Sequence, residues 1–326
     1  MFSGKTVTAD GATLIARTLR EIRAELFSME TEVIAIDEGQ FFDDLSFTCE
    51  QLACEGKMVL VAALDGDFLR KPFGEVSQLI SFSDEIKKLS AVCMECGDDA
   101  PFTFRCTNER ATVMLGFSDI GRGRVTCIVG PMFSGKTTEL IRMHDRYRIA
   151  GKKCILVKYA GDTRYDPELI VTHKRVTADG ATLIARTLRE IRAELFSMET
   201  EVIAIDEGQF VGCFSLVILY ILSFDDLSFT CEQLACEGKM VLVAALDGDF
   251  LRKPFGEVSQ LISFSDEIKK LSAVCMECGD DAPFTFRCTN ERAVEVIGGE
   301  DTYRALCRTC YYTRSIQKDC KRPRSG

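Results

Sequence analysis

A glycine-rich segment in the second half of the chain has the residue types of a phosphate-binding loop. It fits the pattern G-x-x-x-x-G-K-[ST] and lies between an apolar run and a helical pattern, the context in which such a loop binds nucleotide phosphates. Its backbone N–H groups would surround phosphate oxygens, Lys136 would reach the β- and γ-phosphates, and the Thr137 hydroxyl would bind Mg²⁺. The predicted ATP-binding residues are Gly130, Pro131, Met132, Phe133, Ser134, Gly135, Lys136 and Thr137. The alternative is a chance glycine turn, which the flanking elements disfavour.

Two adjacent carboxylates end a second apolar segment. Residues 202–205 are followed by Asp206 and Glu207, and such residues at the carboxyl edge of a parallel sheet face the ligand crevice. We expect Asp206 to hold Mg²⁺, and we assign Gln209 to the same ATP–magnesium group. Glu207 would orient an attacking hydroxyl and accept its proton. The alternative is a solvated acidic turn, but the phosphate loop upstream favours the catalytic interpretation.

Two C-x-x-C pairs near the end of the chain predict a metal site. Cys275 and Cys278 form the first pair, and Cys307 and Cys310 form the second. Four thiolates suit a closed, tetrahedral structural Zn²⁺ site. A redox-active pair is the alternative, but two pairs in tandem favour metal. We interpret the other cysteines as packing or surface residues, because the N-terminal pattern predicts no secretory signal and therefore no disulfide framework.

The elements that must position these residues alternate between strands and helices. The patterns predict strands at 125–129, 154–159, 202–205 and 240–246, and helices at 138–149, 181–198 and 225–237. This alternation predicts an α/β fold in which helices flank a parallel sheet. After Leu271 the pattern changes to short segments around the cysteine pairs, which predicts a small zinc-binding subdomain.

Most of the chain is a broken tandem repeat. The repeated stretches are residues 7–41, identical to 176–210, residues 42–111, identical to 224–293, and residues 1–6, matching 132–137. We call residues 1–111 copy one and residues 125–326 copy two, with a linker at 112–124. Identity over this length indicates a recent duplication, or an assembly or gene-model error, rather than a solenoid.

The two copies are not equivalent. Copy one lacks the counterparts of residues 138–175 and of everything from residue 294 onward. It also lacks the first glycine of the phosphate loop, so it has neither a complete phosphate loop nor a second cysteine pair, and we predict that it is inactive by itself. Copy two carries an extra block, residues 211–223, at a point that copy one reads straight through.

Composition and charge argue against two classes of partner. The 326-residue chain has a formal net charge of −10 with scattered basic residues, so we expect no nucleic-acid partner. The apolar run at 210–222 is shorter than the roughly 20 residues that span a bilayer, so we expect no membrane partner either.

With these residues identified, copy two closely resembles the type II thymidine kinases. The landmarks occur in the family's order: GPMFSGKTTEL from Gly130, KYAGDTRY from Lys158, IDEGQF from Ile205, AALDGDFLRKPFG from Ala244, AVCMEC from Ala273, VEVIGGEDTY from Val294 and CRTCY from Cys307. They cover nearly all of residues 121–312. The resemblance implies a RecA-like P-loop kinase domain at 125–271, interrupted by the block at 211–223, and a zinc and lasso-loop subdomain with a basic tail at 272–326.

The resemblance also implies a reaction and a set of roles. It implies transfer of the ATP γ-phosphate, with Mg²⁺, to the 5′-hydroxyl of thymidine or deoxyuridine, with Glu207 as the general base. The implied phosphate-side contacts are Asp162, Thr163 and Arg164. The implied nucleoside contacts are Phe250, which would pack on the base, and the lasso residues Val294, Glu295, Val296, Ile297, Gly298 and Tyr303. Because the family is typically a cytosolic homotetramer, we expect a cytoplasmic tetramer.

The block at 211–223 departs from the family and follows the acidic residues directly. It is either a looped-out insertion that leaves Glu207 in place or a translated intron, and the uninterrupted copy one favours the intron. A kinase active through copy two is the main hypothesis. The alternatives are a catalytically defective subunit that only binds or oligomerises with thymidine kinase, and a P-loop ATPase with another substrate.

Overall fold

The computed structural model describes residues 14–28, 30–103, 123–162, 181–211, 227–291 and 293–320. Apart from short 3₁₀ turns, the described elements of copy one are α1 (Arg23–Leu26), β1 (Val33–Ile36), α2 (Leu45–Cys54), β2 (Met58–Val61), α3 (Val76–Phe82), β3 (Ala91–Val92) and β4 (Asp99–Ala100). Those of copy two are β5 (Arg124–Val129), α4 (Lys136–Ile149), β6 (Cys154–Tyr159), β7 (Ala181–Ala185), α5 (Arg192–Leu195), β8 (Val202–Ile205), α6 (Leu227–Cys236), β9 (Met240–Ala245), α7 (Val258–Phe264), β10 (Glu267–Lys270), β11 (Ala273–Val274), β12 (Asp281–Ala282), β13 (Phe284–Arg287), β14 (Tyr303–Leu306) and α8 (Arg308–Cys320).

Copy two is built on a six-stranded sheet in which all neighbouring strands are parallel. The strand order is β10–β5–β9–β8–β6–β7. Parallel neighbours require crossover connections, and helices provide several of them. The predicted α/β fold with a flanked parallel sheet is therefore confirmed.

The sheet is covered on both faces. Successive side chains of a strand point to opposite faces, so each strand contributes to a core on either side. On β5, Ile128 packs in the cluster that contains Leu140 of α4. Its neighbours Cys127 and Val129 pack in the other cluster, with residues of α6 and α7 such as Leu234. With both faces closed, the carboxyl ends of the strands are left as the edge where ligands bind in sheets of this kind.

One predicted helix is wrong. Residues 181–198 have apolar residues at helical spacing, but the structure divides them into the edge strand β7, a 3₁₀ turn at Leu188–Ile191 and the short α5. Residues 181–185 pair in parallel with 155–159 of β6. Strand pairing thus overrides local periodicity here. The sequence analysis also missed α7 and β10. The sequence of β10, Glu-Ile-Lys-Lys, contains a single apolar residue.

Copy one forms a smaller version of the same arrangement. β1 and β2 pair in parallel, and α2 and α3 cover one face around the buried Leu45 and Leu52. The other face lacks a counterpart of α4, so Leu60 is 54% exposed, whereas the corresponding Leu242 is fully buried.

The zinc-binding subdomain consists of two antiparallel hairpins and a helix. β11 pairs with β12, and β13 pairs with β14. Phe284 and Tyr311 of α8 lie in its small core, against which Phe133 of the glycine-rich loop packs. The subdomain is therefore joined directly to the phosphate loop. No helix in the described part of the chain combines the length and apolar character that crossing a bilayer requires.

Candidate active site

The loop between β5 and α4 has the backbone of a phosphate cradle. Gly130 has a φ of 151°, and a Cβ at this position would lie 2.3 Å from the Leu271 carbonyl oxygen. Gly135, at the start of α4, has a φ of 83°. Both positions therefore require glycine. Lys136 Nζ donates to Pro131 O at 2.6 Å, which holds the ammonium group over the loop.

The acidic residues at the end of β8 lie beside this cradle. Asp206, which is 7% exposed, accepts a hydrogen bond from Thr137 Oγ1 at 3.2 Å. Glu207 follows with a φ of 54°, a left-handed conformation that is uncommon outside glycine. Gln209 donates to the Glu207 carboxylate and accepts from Leu246 N at 3.0 Å. The Gln209 amide thus orients Glu207 from a buried position.

A cavity of about 830 Å³ connects the cradle, the acidic turn and the lasso loop. The predicted residues that line it are Met132, Phe133, Ser134, Gly135, Lys136, Thr137, Asp162, Asp206, Glu207, Phe250, Val294, Val296, Ile297, Gly298 and Tyr303. Gly130, Pro131, Gln209 and Glu295 are not among its lining residues. Gly130 permits the close approach of the loop to Leu271, Pro131 accepts the hydrogen bond from Lys136, and Gln209 holds Glu207. Glu295 accepts a hydrogen bond from Tyr159 OH at 3.0 Å. The predicted Thr163 and Arg164 lie outside the described residues.

The sequence analysis missed Arg287, which organises the lasso end of the cavity. Its side chain is buried at 2% exposure, and its guanidinium carbon lies 3.7 Å from the centre of the Phe250 ring. It donates to the carbonyl oxygens of Ala293 and Val294 and, at 2.8 Å, to Tyr303 OH. A lone arginine at the end of a short β-strand carries no motif. The only available signal was its place a few residues before the lasso segment.

Aromatic rings that the sequence analysis did not assign form part of the cavity wall. Tyr159 and Phe210 are stacked with ring centres 5.2 Å apart, and Phe255 meets Phe210 edge to face at 5.3 Å. All three residues line the cavity. The cavity therefore combines an apolar aromatic wall with the polar groups of the cradle and the acidic turn.

The four cysteines of the two C-x-x-C pairs converge. The Sγ atoms of Cys275, Cys278, Cys307 and Cys310 all lie within 4.8 Å of one another, and Cys278 Sγ is 3.6 Å from Cys307 Sγ. Four sulfur ligands at this spacing fit a tetrahedral Zn²⁺ ion. The cluster is consistent with a structural zinc site, as predicted.

Hydrogen bonding favours the thiolate at one of these positions. Burial opposes ionisation of Cys275, but the backbone amides of Cys307, Cys278 and Glu277 outweigh it and lower the pKa of the thiol to about 6. A metal ion binds cysteine as the thiolate. The backbone amides therefore favour the metal-binding form at Cys275, whereas the neighbouring thiols raise the pKa values of Cys278 and Cys310.

Copy one reproduces the acidic turn, but its sequence lacks the first glycine of the cradle. Glu38, the counterpart of Glu207, has a φ of 53° and accepts a hydrogen bond from Gln40. Residues 1–6, which match the second half of the loop, lie outside the described residues, as do residues 212–223 of the extra block. Val211 is described and is buried in the core at 1% exposure.

Comparison with known proteins gives one family. Residues 1–121 and residues 123–311 match the sequence model of the family described as Thymidine kinase. The human cytosolic thymidine kinase is 45% identical over 204 residues, which is 63% of this chain and 80% of the relative. The chicken (Gallus gallus) cytosolic enzyme is 44% identical over 197 residues, 60% of this chain and 80% of the relative. The thymidine kinase of Vaccinia virus (strain Western Reserve) is 44% identical over 191 residues, 58% of this chain and 97% of the relative.

Proposed function

The chain belongs to the thymidine kinase family, and we propose that copy two transfers the γ-phosphoryl group of ATP to the 5′-hydroxyl of thymidine or deoxyuridine. The observation that carries this proposal is that the phosphate cradle and the lasso segment line one and the same cavity. ATP bound at the cradle and a nucleoside bound at the lasso segment would bring the reacting groups together beside Glu207.

In this proposal the phosphate end binds and orients ATP. The backbone of the glycine-rich loop and the start of α4 surround the β- and γ-phosphates, and Lys136 neutralises part of their charge. Thr137 and Asp206, whose side chains are already hydrogen-bonded to each other, would hold Mg²⁺. When bound there, Mg²⁺ would supply positive charge against the charge that develops on the phosphates during transfer.

Glu207 is the proposed general base. The 5′-oxygen attacks the γ-phosphorus, the bond from that phosphorus to the β–γ bridging oxygen breaks, and ADP leaves with the bridging oxygen. The proton of the 5′-hydroxyl passes to the Glu207 carboxylate, which Gln209 holds in place. Most of the rate enhancement then comes from positioning and charge stabilisation, because phosphoryl transfer requires little covalent chemistry from the protein.

The lasso end is the proposed nucleoside site. The Phe250 ring, fixed against Arg287, offers a flat face for the pyrimidine base. The segment at 294–298 is held by Arg287 and by Tyr303 OH, which donates to Val296 O at 2.7 Å. Backbone groups of this segment are suited to the O2, N3 and O4 atoms of a pyrimidine. Assembly as a homotetramer and a cytoplasmic location belong to the same proposal.

The test is nucleoside-dependent phosphoryl transfer by the purified full chain. Radiolabelled ATP and thymidine should give thymidine monophosphate in the parent protein, and Lys136→Ala should abolish the product. ATP hydrolysis that proceeds equally well without thymidine would support the P-loop ATPase alternative instead. Light scattering of the same preparation tests the tetramer.

A further inference from the structure

The two copies pack against each other through contacts that occur in reciprocal pairs. Arg70 of copy one forms an ion pair with Glu232 of copy two. Arg252, the repeat counterpart of Arg70, forms an ion pair with Glu50, the counterpart of Glu232. Each contact from copy one to copy two is thus matched by the equivalent contact from copy two to copy one. An interface of this kind is isologous, as in a twofold dimer.

Backbone contacts follow the same rule. Lys88 Nζ donates to Ile262 O at 3.3 Å, and its counterpart Lys270 donates to Ile80 O at 2.8 Å. The ring contacts are also paired, with Arg70 lying 5.3 Å from the Phe264 ring centre and Arg252 lying 5.2 Å from that of Phe82. Copy one therefore occupies, within the same chain, the position that a second subunit would take.

The reciprocity fails around Glu50, which has more partners than its counterpart Glu232. Besides Arg252, Glu50 contacts Arg308 and accepts a hydrogen bond from Tyr312 OH at 2.5 Å. Copy one ends before the counterparts of Arg308 and Tyr312. Glu232 therefore lacks the counterparts of these two partners, whereas Glu50 of copy one contacts three side chains of copy two.

Each of the three partners belongs to a part of the candidate active site. Arg308 lies between the zinc ligands Cys307 and Cys310, and Arg252 lies in the loop that presents Phe250. Tyr312 follows Tyr311, whose hydroxyl donates to Phe250 O at 2.7 Å. Glu50 is thus placed where the zinc-binding subdomain meets the Phe250 loop.

The hydrogen-bond partners described for the Arg308 guanidinium group all lie in copy one. Besides Glu50, it donates to Phe82 O and to Asp84 Oδ2, both at 2.8 Å. The side chains of Glu50, Arg252 and Arg308 are only 11%, 12% and 14% exposed. Removing the Glu50 charge would leave two largely buried cations facing each other without their shared anion.

We propose that copy one serves copy two as a built-in second subunit, and that Glu50 is a positioning residue that holds the second cysteine pair and the Phe250 loop in place. Glu50 touches neither the reacting atoms nor the zinc ligands. It acts on both through Arg252, Arg308 and Tyr312. The part of the proposal that concerns nucleoside affinity rests on the proposed function, while the part that concerns the zinc-binding subdomain does not.

The chain supplies a matched pair of variants for the test. Glu50→Gln and Glu232→Gln make the same change at equivalent positions of the repeat. In the zinc-loaded full chain, Glu50→Gln should release zinc to a colorimetric chelator at least about 10-fold faster than the parent, in line with the effect of residues that support metal ligands. Glu232→Gln should release it at the parental rate. Equal rates for the two variants would overturn the proposal.

Steady-state kinetics provide a second readout. Glu50→Gln should raise KM for thymidine more than it lowers kcat, because the nucleoside loop is misplaced while the phosphate cradle is intact. An unchanged KM would overturn the nucleoside part of the proposal. A parent protein without kinase activity would refute the proposed function. The zinc-release comparison would still test the role of Glu50.

A milder variant covers the case in which Glu50→Gln does not fold. Asp84 is 67% exposed and contacts Arg308 from the edge of copy one. Asp84→Asn should fold and should accelerate zinc release by about 2- to 5-fold, a smaller effect because an exposed ion pair is weak. A parental release rate in Asp84→Asn would contradict the role of copy one.

Discussion

Arg287 shows how one buried charge can set the geometry of a segment without regular secondary structure. Its guanidinium stacks on Phe250 and donates to successive carbonyl groups of the lasso segment. Arginine suits this position because its planar group stacks and presents several donors in fixed directions, whereas a lysine ammonium is a single charged point. The side chain therefore links the proposed base platform to the lasso segment.

Replacing Arg287 by lysine should weaken nucleoside binding. The charge is kept, but the stacking and most of the directed hydrogen bonds to the lasso are lost. We expect KM for thymidine to rise about 10-fold or more, equivalent to roughly 1.4 kcal/mol, while KM for ATP changes little. Arg105→Lys changes the corresponding residue of copy one and should have no effect. Equal changes in both substrate constants would argue against this role.

Glu50 gives the chain a defined acid sensitivity. Burial by itself would raise the pKa of this carboxyl, but Arg308, Tyr312 and Arg252 outweigh burial and hold the pKa below its ordinary value of 4.5. A depressed pKa means that the carboxylate stabilises the folded state above the unfolded pKa. That contribution disappears as the pH falls through the folded value.

The free energy of unfolding should therefore depend on pH in a particular way. In urea titrations, the parent should exceed Glu50→Gln by about 3 kcal/mol between pH 7 and pH 5. The difference should shrink only below pH 4.5. A difference that stays constant down to pH 3.5 would show that the charge of Glu50 is not the source of the stability.

At the scale of elements, copy one displays the connection that the extra block interrupts. In copy one, the 3₁₀ turn Gly39–Phe41 is followed after residues 42–44 by α2. In copy two, the equivalent turn and α6 are separated by residues 211–226. The short connection is thus sufficient to join a turn of the same geometry to a helix of the same sequence.

Deleting residues 211–223 should give a kinase at least as active as the parent. The deletion joins Phe210 to Phe224 and restores the sequence that copy one reads through. Because Val211 is buried, Phe224 must take its place in the core, and Phe42 packs against the core of copy one in this way. We expect an equal or higher kcat for thymidine and a higher melting temperature. A fall in both quantities would show that the block is an integral part of the fold.

Sequence patterns predicted the elements that have a motif or a continuous apolar run. The phosphate loop, the strand that ends at Asp206 and the cysteine pairs were readable because their chemistry requires particular residues at particular spacings. The edge strand at 181–185 was read as a helix because its identity comes from pairing with β6. Arg287 was missed for a similar reason, since its partners lie on segments that only the tertiary structure brings together.

At the scale of the whole molecule, the zinc-binding subdomain and the P-loop sheet hold opposite ends of one cavity. The lasso is anchored to β13, β14 and Arg287, whereas the cradle is anchored to β5 and α4. The two parts meet where Met132 N donates to Thr285 Oγ1 at 2.9 Å. The two substrates should therefore respond differently when the subdomain is weakened.

Removing zinc should affect thymidine binding before ATP binding. Structural zinc sites contribute directly to the stability of the parts that they hold. After chelation, calorimetry should show at least a 10-fold loss of thymidine affinity and a smaller loss of ATP affinity. Restoring Zn²⁺ should recover both. Thymidine affinity that survives complete zinc removal would contradict the link between the metal site and the lasso.

The central claim is that copy two alone carries a working thymidine kinase site, and the repeat offers a direct test of it. Glu207→Gln and Glu38→Gln are the same change in two turns of the same backbone conformation, and among the described residues the phosphate cradle lies beside Glu207. The measurement is kcat for thymidine phosphorylation by each full-length variant. Glu207→Gln should lower kcat by about 100-fold or more, the usual contribution of a general base, and Glu38→Gln should leave it at the parental value. Parental kcat in Glu207→Gln, or an equal fall in both variants, would contradict the claim.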